Sequence, residues 1–110
     1  MLVTLEEARL KVEQLRAEIA DLKMDYHSVR EMETLLNRVL IMIEQGSGSK
    51  EISQFINKIQ RLITIIRLAQ YSIHSFYVAA GPIGWALALS GLAMTAFTMT
   101  STIAQEMEGH

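Results

Sequence analysis

Apolar residues fall alternately three and four apart from the start of the chain: Leu5, Ala8, Val12, Leu15, Ile19, Leu22, Tyr26, Val29, then Leu36, Leu40 and Ile43. This is an a/d heptad, with Glu33 at an a position as its only polar intrusion, and it predicts one amphipathic helix reaching residue 45. Thr4 and Glu7 have the spacing of a capping box at its start. A helix of about 40 residues spans roughly 60 Å. That exceeds what a small monomeric domain normally covers, so an intermolecular coiled coil stands beside a single-chain bundle as a reading.

Flanking charges narrow the geometry of such a coil. With Leu5 at a, the e positions Arg9, Arg16, Lys23 and Arg30 are all basic, while Glu18 and Asp25 occupy g. A parallel pair sets Glu18 against Lys23 and Asp25 against Arg30, with Lys11 against Arg16 as the mismatch; an antiparallel pair faces basic rows against each other. Self-association is therefore expected to be parallel, through Leu15, Ile19 and Leu22.

Gln45-Gly46-Ser47-Gly48-Ser49 closes this segment. Gly46 suits a left-handed helix end and Ser49 suits the cap of a second helix. The Gly-Ser-Gly-Ser string also has the composition of an engineered linker. A second stripe then runs through Ile52, Phe55, Ile59, Leu62, Ile66, Ala69, Ile73, Phe76 and Ala80, widened by Ile56, Ile63 and Tyr77 and further by Ile65 and Leu68. A stripe this wide calls for more than one partner helix. Ile59, Leu62, Ile66 and Ile73 are its expected association residues. The short connection also allows this helix to fold back on the first as a hairpin.

The pattern changes at Ala79-Ala80-Gly81-Pro82-Ile83-Gly84-Trp85, after which Ala, Leu, Gly, Met and Thr dominate as far as Ala104. Pro82 suits the first position of a new helix, or a kink. The run is long enough for a hydrocarbon layer of roughly 30 Å, which needs about 20 apolar residues. Gly84, Ala88, Gly91 and Thr95 form a small-residue face suited to close helix contact, Thr95, Thr98 and Thr102 a mildly polar stripe, and Trp85 a candidate interface anchor. A buried helix in a soluble oligomer is the competing reading.

Charge sharpens this division. Residues 4–45 carry nine acidic and six basic side chains, residues 50–67 one acidic and four basic, and the 38 residues from Leu68 to Gln105 no formal charge with His neutral. Basic residues before the apolar run and Glu106 and Glu108 after it would leave the N-terminal side in the cytoplasm. The formal net charge of −2 across 110 residues gives no global basic balance for nucleic acid. Half of the residues are hydrophobic, a fifth are charged, and one is proline, which favours helices. The absence of cysteine excludes disulfides and thiolate metal sites. Met1-Leu2-Val3-Thr4-Leu5-Glu6-Glu7 does not read as a secretory signal.

No chemistry emerges from spacing. His27 has Lys23 and Arg30 at helical neighbour positions, which disfavours a metal although Glu31 stands four residues on, and His74 has no acidic or histidine partner at such positions; His110 ends the sequence. His74 lies in the uncharged stretch, where an ionisable group is a candidate for pH sensing. Gly81 and Gly84 lack the strand and Lys-Ser/Thr of a phosphate loop, and no serine sits in a nucleophile elbow. No catalytic, cofactor-binding or metal-binding residue is expected, and no enzyme activity.

The Ala79–Ala93 stretch, Ala-Ala-Gly-Pro-Ile-Gly-Trp-Ala-Leu-Ala-Leu-Ser-Gly-Leu-Ala, resembles the hydrophobic stretches of tailed-phage tape measure proteins, in which long heptad helices precede a Gly-Pro-apolar run. Those proteins are usually several hundred residues long, and this sequence is much shorter. The resemblance implies a virion component whose apolar part acts on a host membrane during genome delivery, and no catalytic residues.

The expected fold class is all-α, with long coiled-coil-like helices, a helical hairpin and a C-terminal apolar helix, in a homo-oligomer. Its segments are a heptad helix over 1–45, a turn over 46–49, a second heptad helix over 50–80, an apolar membrane-compatible helix over 81–105 and a polar tail over 106–110. The expected function is structural: a self-associating helical protein with a membrane-active or membrane-spanning C-terminal helix, in a membrane or a virion. Its expected partners are its own copies, membrane lipid and other virion or tail proteins, with no nucleic acid. The alternative is a soluble hairpin module whose apolar C-terminus docks into a partner or an oligomer core.

Overall fold

The computed structural model describes residues 4–109, with side chains placed except at 76–80. Among the described residues the chain forms four helices and no strand: α1 Leu5–Asp21, α2 Tyr26–Glu44, and a long helical stretch Ser49–Glu108 that breaks at Gly81. Gly81 has φ 75° and ψ −178°, which divides that stretch into α3 over 49–80 and α4, Gly81–Glu108. The all-helical class is as expected. The stripe members Phe76, Tyr77 and Ala80, the leading Met1–Val3 and His110 lie outside the described side chains.

The single helix expected through residue 45 is two helices. α1 stops at Leu22, Lys23 takes the left-handed conformation at φ 53°, and Asp25 caps α2. The Asp25 carboxylate accepts from the Ser28 amide at 3.0 Å and from the Ser28 hydroxyl at 2.7 Å. These bonds satisfy an orphan amide of the first turn, so the residue assigned to a g position is a helix start. The break also resets the register. Tyr26, assigned to the core, is 77% exposed, whereas Met32, Leu35, Leu36, Val39 and Ile43 are buried. Glu33 leaves the core position given to it and lies half-exposed, 3.6 Å from Arg16 Nη1. Arg16 also donates to Asn37 Oδ1 at 3.1 Å, fastening α1 to α2.

Helix boundaries elsewhere follow local chemistry. Thr4 Oγ1 accepts from the Glu7 amide at 3.2 Å, the expected N-terminal cap. At the end of α2, Gly46 adopts φ 79°, its amide bonds the Ile43 carbonyl, and the Ser47 amide bonds the Met42 carbonyl. That pair of bonds is a Schellman motif, which needs a left-handed residue where Gly46 stands. Ser49 begins α3 and does not cap it; the cap position belongs to Gly48, with no side-chain bond.

The helices run up, down, up and down. α4 returns along α3, so that Lys58 pairs with Glu106, and Arg38 of α2 reaches the Ala104 carbonyl at 3.1 Å and Glu108 at 3.6 Å. Ala8, Val12, Leu15, Ile19 and Leu22 of α1, the α2 face, Ile52 to Ile66 of α3, and Leu92, Ala96, Ile103 and Met107 of α4 form one core. The heptad residues expected to join separate copies therefore meet within one chain. Leu15, Ile19, Leu22, Ile59, Leu62 and Ile66 are each buried, and Ile73 is half-buried at the edge of this core.

Candidate functional site

The two hairpins differ in length. α1 and α2 have 17 and 19 residues, or about 25–28 Å of helix, whereas α3 over 49–80 is roughly 48 Å long. The molecule is accordingly drawn out to 50 × 23 × 22 Å. The α1–α2 connection reaches only as high as Gln70, whose side-chain amide donates to the Leu22 carbonyl and lies 3.5 Å from Met24 Sδ. Gln70, Leu89, Ser90, Leu92 and Ala93 line one groove with Lys23, Met24 and Asp25, and this level is the shoulder of the bundle. Above it the α3–α4 hairpin stands alone for about ten residues on each arm, roughly 15 Å.

This tip bears no formal charge, since none lies between Arg67 and Glu106 when histidine is neutral. Tyr71, Ile83 at 79% exposure, Leu87 at 70%, and Trp85 and Leu89 to a lesser degree face outward from it, whereas Ile73 is half-buried. Leu68 on α3 and Met94 and Phe97 on α4 continue the exposed surface below the shoulder. Gly81–Glu108 is long and apolar enough to cross a membrane by length and composition, and 17% of its most apolar window is buried. A core helix of a soluble protein passes the same composition test but is mostly buried.

Some hydroxyls of the tip, the shoulder and the level just below it are bonded within their own helices. Ser75 Oγ donates to the Tyr71 carbonyl at 3.1 Å, Ser90 Oγ to the Ala86 carbonyl at 3.1 Å, and Thr95 Oγ1 to the Gly91 carbonyl at 3.0 Å. Such bonds to the fourth residue back lower the cost of desolvating these particular hydroxyls. At the apex Gly81 holds a backbone region essentially reserved for glycine. Pro82, next in the chain, takes the first helical position of α4, where its missing amide leaves no extra orphan.

The small-residue face expected on α4 is only partly used within the chain. Gly84 and Ala88 are half-buried, whereas Gly91 and Thr95 are exposed, and a Cβ at Gly91 would meet nothing within 4 Å. The buried stripe is instead Leu92, Ala96, Thr100, Ile103 and Met107. Because α4 is apolar on nearly every side, sequence spacing alone does not single out this face.

The histidines occupy separate surroundings. His27 is exposed and stacks on Phe97, with ring centroids 6.4 Å apart, joining the start of α2 to α4. His74 is exposed on the tip. Asp25 titrates below the ordinary aspartate value of 3.8, first because of the Ser28 hydroxyl bond and then because of the Ser28 amide bond. Among the described residues no three His, Asp or Glu side chains stand close enough to hold a metal ion. The groove at the foot of the bundle, between Thr4, Ala8, Ser47 and Ile52, is lined by no titratable side chain.

Comparison of the chain with protein-family models, with curated proteins and with solved structures finds no match.

Proposed function

We propose that this chain is a structural helical-bundle protein that acts at a lipid bilayer through its uncharged α3–α4 hairpin. The carrying observation is the projection of Ile83, Trp85, Leu87 and Tyr71 above the shoulder, on a tip without a formal charge. Burying an exposed leucine-sized side chain stabilises by about 1.5–3 kcal/mol, so several together supply substantial affinity for an apolar phase. The Ser75 and Ser90 hydroxyls, already bonded within their helices, lower part of the opposing desolvation term. A virion setting, with the hairpin acting during genome delivery, is the finer form of this reading. It rests on the tape-measure-like stretch at Ala79–Ala93.

The test is co-flotation of the full chain with phosphatidylcholine vesicles. The wild-type chain is expected to float with lipid, and Leu87→Arg to remain at the bottom of the gradient with its helix content intact. A wild-type chain that stays with the soluble fraction overturns the reading.

A second reading has its own observation. Ile83, Leu87, Ser90, Met94 and Phe97 are exposed on α4 at alternating spacings of four and three, the geometry of a helix-pairing seam. In that case the chain is an interaction module whose α4 receives an apolar helix of a second copy. Sedimentation without detergent then gives a dimer that Leu87→Arg dissociates.

A further inference from the structure

We infer that the hairpin enters only one leaflet, as a folded wedge, with α4 remaining in the bundle and Thr4 and Gly109 on the same side of the membrane. This inference rests on the bilayer reading and specifies its geometry. The hydrocarbon core of a bilayer is about 30 Å thick, so one leaflet is roughly 15 Å deep. The tip above Gln70 and Leu89 has about that length. Both arms are helices, whose backbone bonds are closed within each arm except at the helix ends that meet at Gly81.

Spanning by α4 demands a different molecule. Leu92, Ala96, Ile103 and Met107 would leave the core they share with the other helices. Glu106 and Glu108 would separate from Lys58 and Arg38, and both carboxylates would pass through the hydrocarbon. The wedge keeps every one of these contacts and takes Tyr71, Ile83, Leu87 and Leu89, which are already exposed, into lipid.

Charge at the shoulder identifies the occupant as acyl chain and not as anionic headgroup. Lys23 lines the shoulder groove and Arg67 lies one turn below Gln70, while Asp21 and Asp25 flank the same α1–α2 connection. The cations and acids balance, so no net attraction to anionic lipid is built in. The wedge is expected to bind zwitterionic vesicles and to persist in high salt.

The experiment uses the full chain with phosphatidylcholine vesicles and exploits the absence of native cysteine and the presence of one tryptophan. Single variants Thr4→Cys and Gly109→Cys are added to preformed vesicles, floated, and treated with a membrane-impermeant maleimide. The wedge predicts equal labelling at both positions, together with quenching of Trp85 by lipids brominated in the acyl chain. Protection of Gly109→Cys alone means that α4 has crossed, which overturns the wedge and leaves the bilayer reading standing. Labelling at both positions without acyl-chain quenching means adsorption at the headgroups, which also overturns the wedge. Failure of either variant and of the wild-type chain to float removes the bilayer reading itself.

Discussion

The foot of the bundle and its tip obey different rules, although α3 and α4 run through both. In the foot α3 has a direction. Ile59, Leu62, Ile63 and Ile66 face inward, while Gln60, Arg61, Thr64 and Arg67 face water. In the tip that direction weakens: Ile73 is half-buried, but Tyr71, Ile83, Leu87 and Leu89 are apolar and face outward with no charged side opposing them. The foot is a solution to burial within one chain. The tip has the same helical backbone but lacks the second layer that covers the foot, since α1 and α2 stop at the level of Gln70. Fold stability and surface chemistry should therefore be separable by mutation along a single pair of helices.

The largest contrast comes from truncating one residue in each region. Ile59→Ala removes a fully buried side chain and should cost about 2–5 kcal/mol. Leu87→Ala removes an exposed one, and its effect on unfolding in urea should stay within about 0.5 kcal/mol. Flotation should reverse the order: Leu87→Ala weakens it, whereas Ile59→Ala leaves it intact wherever the protein remains folded. A Leu87→Ala chain destabilised as much as Ile59→Ala would show that the tip is part of the core and that the division is false.

The apex offers the next largest effect. Gly81 lies at φ 75° and ψ −178°, and an added Cβ there meets nothing within 4 Å. The penalty of Gly81→Ala is thus conformational and not steric crowding, about 1–3 kcal/mol for a side chain held in this region. The substitution should lower the unfolding free energy and splay the two arms, reducing flotation without adding charge. Unchanged stability in urea would mean that the arms are not held in this turn.

These regions are unequally legible in the sequence. The α3 stripe from Ile52 to Ile66 is readable because its polar side is well marked, and burial follows it as far as that side is covered. The cap at Thr4 is readable for a local reason, its spacing from Glu7. The break at Lys23 is hidden because Tyr26 and Val29 happen to continue the heptad across it. The available signal is Asp25 three residues before Ser28, a helix-start spacing that competes with the periodic pattern. Gly81 and Pro82 announce a new helix but not its return along α3. That return depends on the stripe Leu92, Ala96, Ile103 and Met107, which does not stand out in a helix apolar all round. The ion pairs of Glu106 and Glu108 are beyond local reading, because their partners Lys58 and Arg38 are tens of residues away.

A smaller effect belongs to the shoulder, where foot and tip meet. Asp25→Ala removes the cap of α2 and should cost about 1 kcal/mol at neutral pH. Because the folded state holds this carboxyl below 3.8, the cap's contribution is fully present above that value and is lost as pH falls through the lower folded value. The difference between wild type and Asp25→Ala in urea unfolding should therefore shrink under strongly acid conditions. A difference that grows on acidification would mean that Ser28 does not stabilise the charged form. Flotation at neutral pH should be the same for both chains, since the tip lies above this turn.

The smallest effect is expected at Lys23, and it should have the opposite sign to that at Gly81. Both positions have positive φ, 53° at Lys23 and 75° at Gly81, but only one of them carries glycine. A left-handed conformation costs an L-residue roughly 1–2 kcal/mol, and Lys23 bears that strain at the end of α1, where glycine is the usual occupant. Glycine also loses more backbone freedom on folding, by about 0.5–1 kcal/mol, which offsets part of the relief. Lys23→Gly should therefore stabilise the foot by several tenths of a kcal/mol up to about 1 kcal/mol, read as a higher urea midpoint with an unchanged slope. Its effect on vesicle binding sharpens the distinction between regions. Removing this cation leaves the tip untouched, so flotation with phosphatidylcholine should not change. A Lys23→Gly chain that is more stable but no longer floats would place a charge–headgroup contact at the shoulder, and affinity would then no longer belong to the apolar tip alone.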